Sequence, residues 1–83
     1  MRTKVQEVVS DFIQELVERH PGVLVELLDE KTPWVDQRIR VKCTSQEETY
    51  DVSETVAELT TKYYLDQGVY ITGPVYHPAS EQR

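Results

Sequence analysis

Cysteine occurs once in this chain of 83 residues, so one copy can neither close an internal disulfide nor assemble a cysteine-based zinc site. Glycine is limited to three positions. None of them forms a G-x-G-x-x-G or P-loop pattern, and G-x-S-x-G and H-E-x-x-H are absent too. Long apolar runs are missing: stretches such as Val23-Leu24-Val25 fall far short of the roughly 20 residues a membrane-spanning helix needs. Nothing near the start reads as a secretory signal, so a cytoplasmic location is expected and a membrane partner is not. Basic side chains are outnumbered nine to fifteen, for a net charge of −6. A field of that sign disfavours non-specific binding to nucleic acid, where phosphate neutralisation supplies most of the affinity.

What is present is ordinary globular composition, with 39 % hydrophobic and 29 % charged residues, which argues against disorder. A chain this short makes one domain and buries only about 60–65 % of its unfolded surface. We expect a single α+β domain over residues 1–77, followed by a tail over 78–83 that frays.

The acidity reverses locally. Residues 1–30 carry −4 and residues 45–83 carry −5, but residues 31–44 carry +3 from Lys31, Arg38, Arg40 and Lys42 against Asp36. An anionic partner would have to use that short stretch.

Val5, Val8, Val9, Phe12, Ile13, Leu16 and Val17 recur at helical spacing and predict an amphipathic helix. His20-Pro21-Gly22 ends it, because the residue before proline is pushed out of the α region. Val23 to Leu28 reads as a strand, and Asp29 to Pro33 as a turn. Trp34 to Thr44 reads as a longer strand. Gln37, Ile39, Val41 and Cys43 fall on one face; Trp34, Arg38, Arg40 and Lys42 fall on the other. The segment Thr49 to Val52 is read as either a short third strand or a loop. A second helix is expected with Ser53 as cap, a stripe of Val56, Leu59, Thr60 and Tyr63, and Gly68 at its end. Val69 to Thr72 and Val75-Tyr76 close the chain as strands. The order predicts a two-layer α-β-β-(β)-α-β sandwich: an antiparallel sheet of three or four strands, with two helices packed on one face.

That layout leaves the second sheet face uncovered, with Leu24, Leu28 and Trp34 beside Arg38, Arg40 and Lys42. One reading is a solvated face on which Glu26 pairs with an arginine across the hairpin. The other is an interface for a second copy of the chain or another protein. Covering three such apolar side chains gains about 5–8 kcal/mol gross, against an association cost of about 4–15 kcal/mol, so further contacts are needed. Of the neighbours Tyr63 and Tyr64, only one can face the sheet, which leaves Tyr64 free for a partner.

The favoured function is therefore a small acidic, non-enzymatic protein-interaction domain that self-associates, without a cofactor. Its expected contact residues are Leu24, Leu28, Trp34, Arg38, Arg40, Lys42 and Tyr64. One alternative is a ligand- or metal-sensing module using His20 or His77; another is anion or nucleic-acid binding by Trp34 and the basic strand. Catalysis by Cys43 is disfavoured, since its face of the strand is apolar and a buried thiol resists ionisation. The helix, the turn His20-Pro21-Gly22-Val23, two strands, a helix and a strand together resemble the cytoplasmic C-terminal modules of cation-diffusion transporters over Val5 to Ile71. That resemblance implies a small dimerising α+β domain able to bind metal. No metal ligand is matched residue by residue, and no strand is predicted before the first helix.

Overall fold

In the computed structural model, which describes residues 4–30 and 32–78, the first apolar stripe forms α1 (Lys4–Arg19) and buries Val8, Val9, Phe12 and Leu16. The turn His20-Pro21-Gly22 leads into β1 (Leu24–Leu28), which runs antiparallel to β2 (Gln37–Lys42) with Glu26 opposite Arg40. β2 begins later than its alternation suggests. Thr32 bridges to Val35 and closes a tight turn that holds Pro33 and Trp34. Asp36 is engaged at both ends: its amide donates to the Tyr70 carbonyl at 2.9 Å, and its Oδ2 accepts from the Tyr70 amide at 2.8 Å. Trp34 therefore belongs to the hairpin connection rather than to the strand.

Thr49–Val52, read as either a short third strand or a loop, is helical. α2 runs from Glu48 to Gln67 and buries Val52, Thr55, Val56, Leu59 and Thr60. Val52 lies one helical step before Val56, so the stripe already extends that far back. The start of α2 is not set by Ser53. Instead, the Ser45 hydroxyl accepts from the Glu48 amide at 3.4 Å, and Glu48 and Asp51 place negative charge in the first turn. At the other end Gly68 adopts a left-handed conformation (φ 71°) and its amide donates to the Tyr64 carbonyl, a geometry for which a residue without Cβ is favoured.

After α2 come β3 (Ile71–Thr72) and β4 (Val75–Tyr76). Both pair with β2 in parallel and in one continuous register, Ile71 opposite Gln37 and Tyr76 opposite Lys42. The sheet is mixed rather than antiparallel. The reason is topological: a helical crossover returns the chain in the direction it left, whereas only a hairpin reverses it. β2 is central, β1 forms one edge, and β3 with β4 forms the other. The break between β3 and β4 falls at Gly73-Pro74. Pro74 has no amide to donate, but its carbonyl accepts from Val41 at 2.9 Å.

Both helices cover one face of the sheet, and Phe12, Leu16, Ile39, Val41, Val52, Leu59 and Ile71 are fully enclosed between the layers. The buried Thr60 hydroxyl is satisfied by the Ile71 carbonyl at 2.7 Å. Of the expected tail, only Pro78 lies within the described residues.

The helix seam carries a polar cluster. Glu15 accepts from Lys62 Nζ at 3.0 Å, from the Tyr63 hydroxyl at 2.9 Å and from Arg19 at 3.1 Å. The hydrogen bonds from Lys62 and Tyr63 hold its carboxyl below the usual range. Burial, followed by the Glu15 carboxylate, pushes Tyr63 up to about 12. The signs differ. Glu15 stabilises the fold above the ordinary carboxylate range, and that contribution fades as pH falls through its lowered pKa. Tyr63 stabilises it below the ordinary phenol value and ceases to do so as pH rises towards 12. The Glu54 carboxylate, hydrogen-bonded to Tyr50, raises that phenol too, but the tyrosine that an ultraviolet titration finds near 12 should be the one that Tyr63→Phe removes. All five tyrosines ionising together, near the ordinary value of about 10, would contradict this.

Candidate interaction surface

Side chains alternate across a sheet, so the residues of β1 and β2 that point away from the core point away from both helices. They form three rows: Leu24 beside Lys42 and Tyr76, Glu26 beside Arg40, and Leu28 beside Arg38 and Thr72. Leu24 is 63 % exposed and Leu28 is half-buried. Five of the seven expected contact residues (Leu24, Leu28, Arg38, Arg40 and Lys42) are thus brought together on this open face.

The cations there are largely compensated. Arg40 donates through Nε at 3.0 Å and through a terminal nitrogen at 2.6 Å to Glu26 Oε1, and its guanidinium lies 5.5 Å from the Tyr76 ring centre. Arg38 Nε lies 3.3 Å from Glu30 Oε1, but it is not aligned for a hydrogen bond and is otherwise without one. Lys42 makes no ion pair among the described residues. The pairing of Glu26 across the hairpin was legible from its position on the strand. The Tyr76 ring beneath Arg40 was not, because it depends on β4 returning in parallel. Exposed pairs of this kind contribute only about 0.2–1 kcal/mol each, so they set the charge of the face more than its stability.

The remaining two expected residues lie elsewhere. Trp34 is 83 % exposed at the hairpin turn. Tyr64 sits on α2, on the helix side of the sheet, with its ring edge-on to Tyr70 at 5.6 Å. It is not part of the open face.

Other chemistry-bearing groups have structural environments. Cys43 is buried, and burial with Glu48 nearby pushes its thiol up, so little of it is in the reactive thiolate form. The Thr55 hydroxyl donates to the Asp51 carbonyl at 3.1 Å. Its single proton being used there, the contact with His20 Nε2 at 2.8 Å has the imidazole as donor. His77 Nδ1 is buried without a partner among the described residues, beside a groove of about 340 Å³ bounded by Leu24, Lys42 and Cys43. Among the described residues, no three His, Cys, Asp or Glu side chains gather as a metal site would require.

The sequence reading missed one residue. Leu27 is on the core side of β1 opposite the fully buried Ile39, yet it is 53 % exposed. The layers gape at that edge, and alternation alone carries no information about how far a helix reaches over a strand.

No protein-family model matches the chain, and no curated protein or solved structure is similar to it. The likeness to transporter modules thus rests on element order and the turn His20-Pro21-Gly22-Val23, which do not establish function.

Proposed function

We propose that this protein is a small non-catalytic interaction domain that self-associates by stacking its open sheet face on that of a second copy. The observation carrying the proposal is where the charge sits. Most of the negative charge is on the helices, with Glu7, Asp11, Glu15 and Glu18 on α1 and Glu48, Asp51, Glu54, Glu58 and Asp66 on α2. The open face instead carries Arg38 and Arg40 paired with Glu30 and Glu26, a lysine without an ion pair among the described residues, and an exposed leucine. Two molecules of net charge −6 meet with least repulsion there. A two-fold stack also uses each apolar residue twice, so Leu24, Leu28 and Tyr76 are contributed by both copies.

Size limits the affinity. Three strands spaced about 4.8 Å apart and about five residues long give a face of roughly 14 by 17 Å, about 240 Å² per copy and well below the roughly 800 Å² per partner of a standard specific interface. Association is therefore expected in the micromolar range rather than the nanomolar. A non-catalytic role is supported by the enclosed thiol of Cys43 and by the engagement of His20 with Thr55.

Sedimentation velocity on variants tests the surface. Leu24→Glu is expected to weaken association by about tenfold or more, because it buries an unpaired carboxylate at the contact. Lys42→Ala, which removes a flexible solvated charge rather than an apolar anchor, should change it by about twofold or less. Equal effects from the two would place the contact elsewhere.

A further inference from the structure

We propose that the free edge of β1 is a second binding site, which accepts an extended segment of another protein that alternates branched apolar residues with lysine or arginine. The backbone pattern comes first. β2 uses its Gln37, Val41 and Cys43 amides on the Tyr70, Pro74 and Tyr76 carbonyls, at 3.3, 2.9 and 2.8 Å. Alternate residues turn their backbone groups the other way, so Arg38, Arg40 and Lys42 face β1 and engage Leu24, Glu26 and Leu28. The amides and carbonyls of Val25 and Leu27 then point to the outer edge. No strand pairs there among the described residues. An unpaired edge of this kind is a template for strand addition.

The same edge opens into an apolar groove of about 390 Å³ beneath α1, where Val5, Val9 and Ile13 meet Leu27. Residues of an added strand that point to the core side would enter this groove, since side chains on paired strands share faces. Leu27, 53 % exposed although it lies on the core side, is the part of β1 that an added strand would cover.

Charge complementarity selects the occupant. From Val23 to Glu30 the chain carries Glu26, Asp29 and Glu30 and no cation. On its inner edge β1 already holds a strand of the proposed chemistry: β2 sets Ile39 and Val41 opposite Leu27 and Val25, and sends Arg38 to Glu30 and Arg40 to Glu26. The bonds that Glu26 accepts from Arg40 both fall on Oε1, so that among the described residues its Oε2 can accept from a cation on the outer side. A second copy of β1 is the wrong occupant, because an antiparallel pairing through Val25 and Leu27 would set Glu26 against its own image and bring no cation to Asp29 or Glu30. This site is the edge of the sheet rather than its open face, with Glu26 bordering both, and neither proposal depends on the other.

The test uses the full chain and a synthetic peptide with the sequence of residues 36–44, with serine in place of Cys43, followed by amide hydrogen exchange. At about ten times its dissociation constant, the peptide should slow exchange at Val25 and Leu27 by roughly tenfold. The Leu24, Glu26 and Leu28 amides, already bonded to β2, should be unaffected. A peptide with glutamate at the three basic positions should have no effect, and so should one N-methylated along the edge that would bond to β1. Leu27→Pro, which removes an outward amide from an edge strand, should abolish binding as well. Unchanged Val25 and Leu27 exchange at millimolar peptide would overturn the proposal. So would equal protection by the acidic peptide, or loss of protection at Glu26, which would mean that the peptide displaces β2.

Discussion

Replacing Gly73 with alanine is expected to cost more than about 3 kcal/mol of folding stability, a value beyond the ordinary range for a single added methyl. The reason is a close approach of two backbones. A Cβ at this position would lie 1.6 Å from the Ile39 carbonyl oxygen and 2.6 Å from its carbon. Neither belongs to a flexible side chain that could step aside. Relief requires the β3–β4 segment to move away from β2, which breaks the bonds from Val41 to Pro74 and from Cys43 to Tyr76. Urea unfolding followed by circular dichroism measures the loss. A variant within about 1 kcal/mol of the unmodified chain would show that the two strands are not packed so closely.

Phe12→Ala should cost about 3–5 kcal/mol, because Phe12 is fully enclosed between the helices and the sheet. A domain of this size commonly has only about 5–15 kcal/mol of stability, so the melting temperature should drop by roughly 12–40 °C at about 4–8 °C per kcal/mol. A second readout separates a specific cavity from general loosening. The Phe12 ring lies 5.9 Å from that of Tyr63, and burial is the leading cause of the raised Tyr63 pKa. Where the variant remains folded, its late tyrosine should titrate at lower pH. An unshifted tyrosine together with a small stability loss would mean that Phe12 does not seal the seam.

The parts of this architecture legible in the sequence are those governed by local periodicity. The stripe from Val5 to Val17 defines α1, the alternation through Arg38, Ile39, Arg40 and Val41 defines both faces of β2, and Gly68 marks the end of α2. The parts that were not legible depend on partners distant in sequence. Strand direction for β3 and β4 follows from α2 crossing over, not from any feature of Val69 to Tyr76. Thr49-Tyr50-Asp51-Val52 has strand-like composition, but Val52 is drawn into the helix by its spacing from Val56 and Leu59. Tertiary burial overrode local propensity there. Trp34 followed the alternation of β2 in sequence, whereas the Thr32–Val35 bridge and the two-ended engagement of Asp36 start the strand later. The open face survives these changes because it rests on β1 and β2, whose pairing register puts Leu24, Glu26 and Leu28 beside Lys42, Arg40 and Arg38.

Sedimentation equilibrium of the unmodified chain at neutral pH, over loading concentrations from about 1 μM to 1 mM, spans the affinity range expected for so small a contact. The predicted result is a reversible monomer–dimer equilibrium within that range, displaced towards monomer by Leu24→Glu. A monomer at every concentration, or a dimer indifferent to Leu24→Glu, would contradict the stacking of open sheet faces.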